Sequence, residues 1–329
     1  MLPKKGLKAS DYTLIDILFI GYMTAFILLV VLLGRGVENW YLYTAANLAI
    51  VLSIIFFIPS ARASGNPVLR FISWWYPVLL FTYNYKTIDP FTQVIVAGWM
   101  DHQVMAFEKS IFGVECLTLW ADGFVSPVLT EVMKFFYFTY YLIIPASAAF
   151  LYFRGKRRNY IRFLSTVCLA FYISYLGFIL YPVRGPRYEL YDRYENDYAV
   201  NIREFYGPGV ADDVADKESM ALKGYFFTGF QDRIMRRFSL HGGCMPSSHV
   251  AVAFVCLMLM WLYRRKVFYW YLPTVSILSV SVVYNRYHYI SDVFAGIAVG
   301  LFALWLTPRL QRGWERRVSG RNSPSETRR

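Results

Sequence analysis

Eight runs of predominantly apolar residues, each roughly 15 to 25 long, divide this chain, and a run of that length is what a helix needs to cross a bilayer. They lie near residues 14–34, 41–59, 68–84, 128–152, 163–182, 250–264, 267–285 and 292–308. The expected fold class is therefore all-α: a polytopic membrane protein with about eight transmembrane helices. The third run is the weakest, because Asn84 and Lys86 follow closely and Trp74, Trp75 and Tyr76 resemble an interfacial belt. The core of a large soluble protein is the alternative, but apolar blocks this regular, with 57% apolar and 17% charged residues overall, belong to membrane proteins. The first run follows Lys4, Lys5 and Lys8 and lacks a small-x-small exit, so it reads as a retained anchor rather than a cleaved signal.

The net charge of +12 is concentrated in three places. Arg154, Lys156, Arg157, Arg158 and Arg162 separate runs four and five, and Arg264, Arg265 and Lys266 separate six and seven. The tail holds Arg309, Arg312, Arg316, Arg317, Arg321, Arg328 and Arg329. Eight spans put all three clusters and the N-terminal lysines on one side, which the positive-inside rule makes cytoplasmic. Ten of the 22 acidic residues fall instead in the 183–248 loop. The basic tail suits anionic lipid better than nucleic acid, so no nucleic-acid partner is expected.

Four cysteines stand at 116, 168, 244 and 256, without metal-binding spacing. Cys168 and Cys256 fall mid-span as packing residues, while Cys116 and Cys244 share the outer side, where a disulfide could form. No N-x-S/T acceptor site occurs in an outer loop, which leans towards a bacterial plasma membrane. Two outer segments, 85–127 and 183–248, are too long for simple connectors. Phe91 to Gly113 reads as a helix lying at the interface. Phe226, Phe227, Phe230, Ile234 and Phe238 recur at helical spacing against Asp232, Arg233, Arg236 and Arg237, an amphipathic stretch that either dips into the bilayer or caps the protein. From about residue 310 the Ser/Arg-rich tail reads as disordered.

Of the four histidines, His102 and His241 lie in polar loops, whereas His249 and His288 head apolar runs, where an ionisable group is expensive. His288 and Asp292 are four apart. A helix beginning near Tyr287 would put both on one face, with the carboxylate accepting the imidazole Nδ1–H and Nε2 left free. A histidine so oriented is a nucleophile, a general base or a metal ligand, or simply a satisfied structural pair. The second stretch, Cys244-Met245-Pro246-Ser247-Ser248-His249, is helix-start chemistry: Ser247 or Ser248 as N-cap and His249 in the first turn, with unpaired N–H groups aimed where a phosphate could bind. Gly242 and Gly243 upstream permit close backbone approach. Both histidine segments are expected on the outer face. Arg184, Arg187 and Arg286 lie beside them in sequence, and guanidinium groups suit phosphate oxygens, although snorkelling to headgroups is the plainer use of such arginines.

Pro246-Ser247-Ser248-His249 resembles the P-S-G-H motif of the type 2 phosphatidic-acid phosphatase superfamily. Arg286-Tyr287-His288-Tyr289-Ile290-Ser291-Asp292-Val293-Phe294-Ala295-Gly296 resembles its H-x-x-x-D motif and the V-x-A-G that follows. The wording is closest to the branch with inositol-phosphorylceramide synthases and related bacterial membrane proteins, as is the stretch Asp101 to Trp120. The resemblance covers about residues 100–308. It implies a six-helix phosphatase-like membrane core over 100–308, with N-terminal transmembrane helices over 1–99 and a basic cytoplasmic tail over 309–329. It further implies His288 as nucleophile, Asp292 as its orienter and His249 as general acid. Arg184, Arg187, Ser247, Ser248 and Arg286 would bind phosphate, with no metal and no cofactor.

Two departures stand out. The family's K-x6-R-P is replaced by Arg184-Gly185-Pro186-Arg187, and position 282 is Val where the family places arginine, a role Arg286 could take. The implied function is a lipid phosphatase or phosphotransferase working on a membrane lipid substrate through a phosphohistidine, with a lipid or sugar hydroxyl as one acceptor. A non-catalytic lipid- or anion-binding or transport protein is the alternative, and a zinc hydrolase using His249, His288 and Asp292 is a third. Oligomeric state is not legible.

Overall fold

The computed structural model describes residues 8–113, 124–189, 222, 224–238, 240 and 242–320. Among them the regular structure is helical throughout, with no strand. Helix α1 (Leu14–Leu33) is followed by α2 (Trp40–Leu52), which runs through a π-turn into α3 (Ile58–Ala63). Then come α4 (Pro67–Ile88), α5 (Asp101–Phe112), α6 (Pro127–Phe138), α7 (Tyr140–Arg154), α8 (Arg157–Leu180) and α9 (Phe226–Phe238). Helices α10 (Ser248–Tyr263), α11 (Arg265–Tyr284) and α12 (Ile290–Gly320) complete the chain.

Six stretches are long and apolar enough to cross a membrane: Leu14–Gly36, Trp40–Ala63, Pro127–Arg154, Arg157–Leu180, Arg265–Tyr284 and Ile290–Ser319. Leu32, Leu79, Phe153 and Trp270 point outward from the bundle, a pattern that water disfavours and lipid accepts. The protein is thus an all-α polytopic membrane protein. The other two of the eight expected spans are also helices. In α4, 22 residues long, the Trp74–Tyr76 belt and the run Tyr83-Asn84-Tyr85-Lys86 dilute the apolar character. Helix α10 has only 16 residues.

Helix α10 is the axis of the fold. It packs against α7, α8, α11 and α12, and most of its side chains are buried. Sixteen residues rise about 24 Å. One end of α10 therefore carries Ser248 and His249, while the other runs into Arg264, Arg265 and Lys266, well away from them. Small residues let α12 lie close: a Cβ on Gly296 would come within 2.6 Å of the Ser247 carbonyl oxygen. The N-terminal helices lean on α8, where the rings of Tyr22 and Tyr172 stack at 3.9 Å. Buried Asp16 closes that end, paired with Arg62 at 2.8 Å and accepting the Tyr76 hydroxyl at 2.7 Å.

Two expectations are corrected. The chain from 310 is not disordered at once, since α12 continues to Gly320. There Trp314 donates to the Tyr12 carbonyl (3.1 Å), and Glu315 pairs with Arg158 (2.8 Å), so the polar sequence has partners that hold it helical. The helix expected at the interface begins at Asp101 rather than near Phe91, because Gly98 adopts φ +87°, which an α-helix cannot contain. Cys116 lies outside the described residues, as does His241.

Candidate active site

Ser247 is the N-cap of α10, its hydroxyl accepting the Val250 N–H at 3.4 Å, which places His249 in the first turn with its side chain buried. The start of α12 lies alongside, because the Ser247 N–H donates to the Asp292 carbonyl (3.1 Å). Two helix N-termini therefore meet here, each with N–H groups and a positive dipole end suited to an anion.

His288 is not on a helix with Asp292, as the spacing suggested, since α12 begins only at Ile290. The pair forms all the same: Asp292, in the first turn, reaches back over the 287–289 loop. Its Oδ2 lies 3.2 Å from His288 Nδ1 and accepts the Tyr289 N–H at 2.9 Å. The same oxygen also accepts the Cys244 thiol at 2.8 Å, and that sulfur is 3.2 Å from Nδ1. Burial beside Asp292 pushes the Cys244 thiol well above its ordinary range, so it stays protonated and acts as a donor. Cys244, His288 and Asp292 also lie close enough together to be a conceivable set of metal ligands. Cys244, not His249, is the third member of that set.

Across from this pair, the His249 and His288 rings stand 5.6 Å apart at 63°. His249 Nε2 is 2.9 Å from the Tyr137 hydroxyl on α6, and the ring packs on Tyr140 at 4.4 Å. A small cavity of about 40 Å³ is lined by both histidines together with Arg184, Arg187, Cys244 and Tyr287. Two of the three expected arginines thus reach the histidines. Arg286 is buried in the adjoining loop with φ +61°, and its carbonyl accepts the Arg187 N–H (2.9 Å). Ser248 faces a second, larger cavity on the other side of His249.

The loop bearing the arginines is held from α5. Asp101 accepts the N–H of Arg184 (2.9 Å), the N–H of Gly185 (2.8 Å) and the hydroxyl of Tyr289 (3.0 Å). Burial still pushes its carboxyl above the ordinary value, against the pull of those donors. Glu108, two turns further along the same face of α5, accepts both the N–H and the hydroxyl of Ser291 at 2.8 Å. One helix thereby clamps the segments on both sides of the site.

The sequence reading did not single out Tyr137, Cys244 as a thiol donor, Asp101, Glu108 or Lys134. Lys134, on α6, donates to Asp232 of α9 (2.6 Å) and to the hydroxyl of Tyr287 (2.9 Å), the neighbour of His288. Its signal was present: a lone lysine inside an apolar run demands a partner. Glu131, one turn earlier, receives the N–H groups of Tyr225, Phe227 and Thr228 and so caps the N-terminus of α9.

A family model described as the PAP2 superfamily matches residues 102–306, which take in α5 after Asp101, α6 to α11, the first half of α12 and every histidine-motif residue. No curated protein and no solved structure matches the chain.

Proposed function

The chain belongs to the PAP2 superfamily, and from that membership we propose that it moves a phosphoryl group from a phospho- or diphospho-lipid through a covalent intermediate on His288. The observation that supports this reading most is one cavity lined by His288, His249, Arg184 and Arg187, with Asp292 bound to the far nitrogen of His288. Asp292 fixes the Nδ1–H tautomer, so Nε2 carries the attacking lone pair. As the P–N bond forms, the P–O bond to the lipid alcohol breaks, and the leaving oxygen takes a proton from His249. His249, now neutral, accepts the proton of water or of an acceptor hydroxyl as that oxygen attacks phosphorus, which breaks the P–N bond and restores His288.

Arg184 and Arg187 neutralise the equatorial oxygens, helped by the amides around Ser247 and Ser248 and by Arg286. Water as the attacking group gives a phosphatase. A lipid or sugar hydroxyl gives a transferase, the outcome that the Arg286-Tyr287-His288-Tyr289 wording favours. No step calls for a metal. Basic clusters at the far ends of α10 and α12 support a reading in which the site opens on the extracytoplasmic face of a bacterial plasma membrane, with both termini in the cytoplasm.

The test is to offer purified protein a panel of lipid phosphates and diphosphates with chelator present, and to measure inorganic phosphate or phosphorylated acceptor. The expected result is turnover that disappears in His288→Ala. Full turnover in that variant would refute the proposal, and no turnover on any substrate with any acceptor would leave a binding protein.

A further inference from the structure

A second cavity adjoins the site, and the reaction as written does not account for it. It measures about 420 Å³, roughly ten times the small one, and shares Tyr85, Tyr137, Met235 and His249 with it. Its other walls are hydrocarbon and ring faces: Val78 and Phe81 from α4, Ile144 from α7, Phe171 and Tyr175 from α8, under Ile234 of α9. Among the described residues no carboxylate lines it, and Lys86 is the one Lys or Arg side chain that does. Thr82 on α4 and Tyr141 on α7 are exposed at its edge, so its mouth opens sideways out of the bundle, where lipid lies.

His249 stands between the two spaces, more than nine-tenths buried. Its Nε2 meets Tyr137, whereas its Nδ1 has no hydrogen-bond partner. A buried imidazole nitrogen left in that state calls for a bound oxygen to complete it. With phosphorus beside His288 and the arginines, the oxygen nearest His249 is the one that links phosphorus to the alcohol.

We propose that the larger cavity seats the hydrocarbon chain of the leaving alcohol, and that it seats one chain, so the preferred substrate is a single-chain lipid phosphate. The proposal rests on the phosphoryl-transfer reading above. If each methylene occupies roughly the 30 Å³ of a water molecule, the cavity accepts on the order of fourteen, about one fatty chain, whereas two such chains would need about twice that volume. A polyhydroxy acceptor fits poorly there. Each hydroxyl buried against Val78, Phe81, Ile144 or Phe171 would lose its water without gaining a partner. The acceptor, water or alcohol, therefore approaches through the small polar cavity.

Dodecyl phosphate, butyl phosphate and dipalmitoyl phosphatidate, presented in the same detergent micelles, separate the cases. The expected result is a kcat/KM for dodecyl phosphate roughly tenfold or more above both others, because a four-carbon chain leaves most of the cavity without contacts and a second long chain finds no place in it. Ile144→Trp, which fills the cavity, should lower the dodecyl-to-butyl ratio by about fivefold or more. Thr82→Trp blocks the same space from an exposed position that tolerates a large side chain, and should act in the same direction.

Equal turnover of one- and two-chain substrates, or a ratio that neither variant moves, would overturn the single-chain seat. Phosphoryl transfer would then still stand if release depends on His288. No His288-dependent turnover of any of the three, with water or an added alcohol as acceptor, would overturn the single-chain seat, and phosphoryl transfer would then stand or fall on the wider panel above.

Discussion

The Tyr137 hydroxyl and Nε2 of His249 lie 2.9 Å apart, although 112 residues separate them in the chain. The contact joins α6 to the first turn of α10 and fixes the imidazole at the boundary between the polar and the apolar cavity. Tyr137 also packs on Tyr287 at 4.8 Å. One phenol therefore touches the residue beside the proposed nucleophile as well as the proposed acid.

Tyr137→Phe removes the hydroxyl and keeps the ring. The lost hydrogen bond is worth about 1 kcal/mol, or about fivefold in rate. Steady-state kinetics should show that loss in kcat with KM little changed, because the oriented acid matters only when the leaving oxygen takes its proton.

Gly185 adopts φ +95°, and a Cβ there would lie 2.8 Å from the Cys244 sulfur and 2.9 Å from the Tyr287 carbonyl oxygen. Gly185→Ala therefore combines backbone strain with overpacking, about 2 to 4 kcal/mol in total. Thermal unfolding in detergent should move clearly downward. Activity should fall further than stability, because the displaced loop carries Arg184 and Arg187.

Lys134 is buried and holds Asp232 at 2.6 Å, fastening α9 over both cavities. Lys134→Met keeps the volume and removes the charge. The pair is part-exposed on the Asp232 side, so the cost should be about 2 kcal/mol, below that of breaking a fully buried pair. Hydrogen exchange should report faster opening of the 226–238 segment, with α10 unchanged.

Chelation should leave turnover unaltered. Oδ2 of Asp292 already faces three donors: the imidazole Nδ1, the Cys244 thiol and the Tyr289 N–H. A divalent ion bound at that oxygen, between the Cys244 sulfur and His288 Nδ1, would have to displace them. Activity measured before and after exhaustive dialysis against chelator should agree. Loss on dialysis with recovery on adding zinc would revive the metal-hydrolase alternative.

Much of the fold could be read in the sequence because membrane helices announce themselves through length and apolarity. All eight runs are helical, and the π-turn, the short α10 and the aromatic α4 altered the details rather than the plan. The His288–Asp292 pair was legible because it is local, four residues apart, and the position of His249 because it follows a helix N-cap. The contacts that assemble the site around them were not. Asp101 meets Tyr289 across 188 residues, Glu108 meets Ser291 across 183 and Lys134 meets Tyr287 across 153. No periodicity encodes such pairings. The tail erred the other way: its composition reads as solvated chain, yet Trp314 and Glu315 find partners on the N-terminal segment and α8.

The central claim is a covalent phosphoryl group on His288. The direct test is to mix the protein with a lipid phosphate carrying radiolabelled phosphorus, quench within milliseconds in alkali, and map the label by peptide analysis. The account predicts acid-labile, alkali-stable label on the peptide containing His288, absent from His288→Ala. Continued turnover with no label on that peptide, or label that persists in His288→Ala, would contradict it.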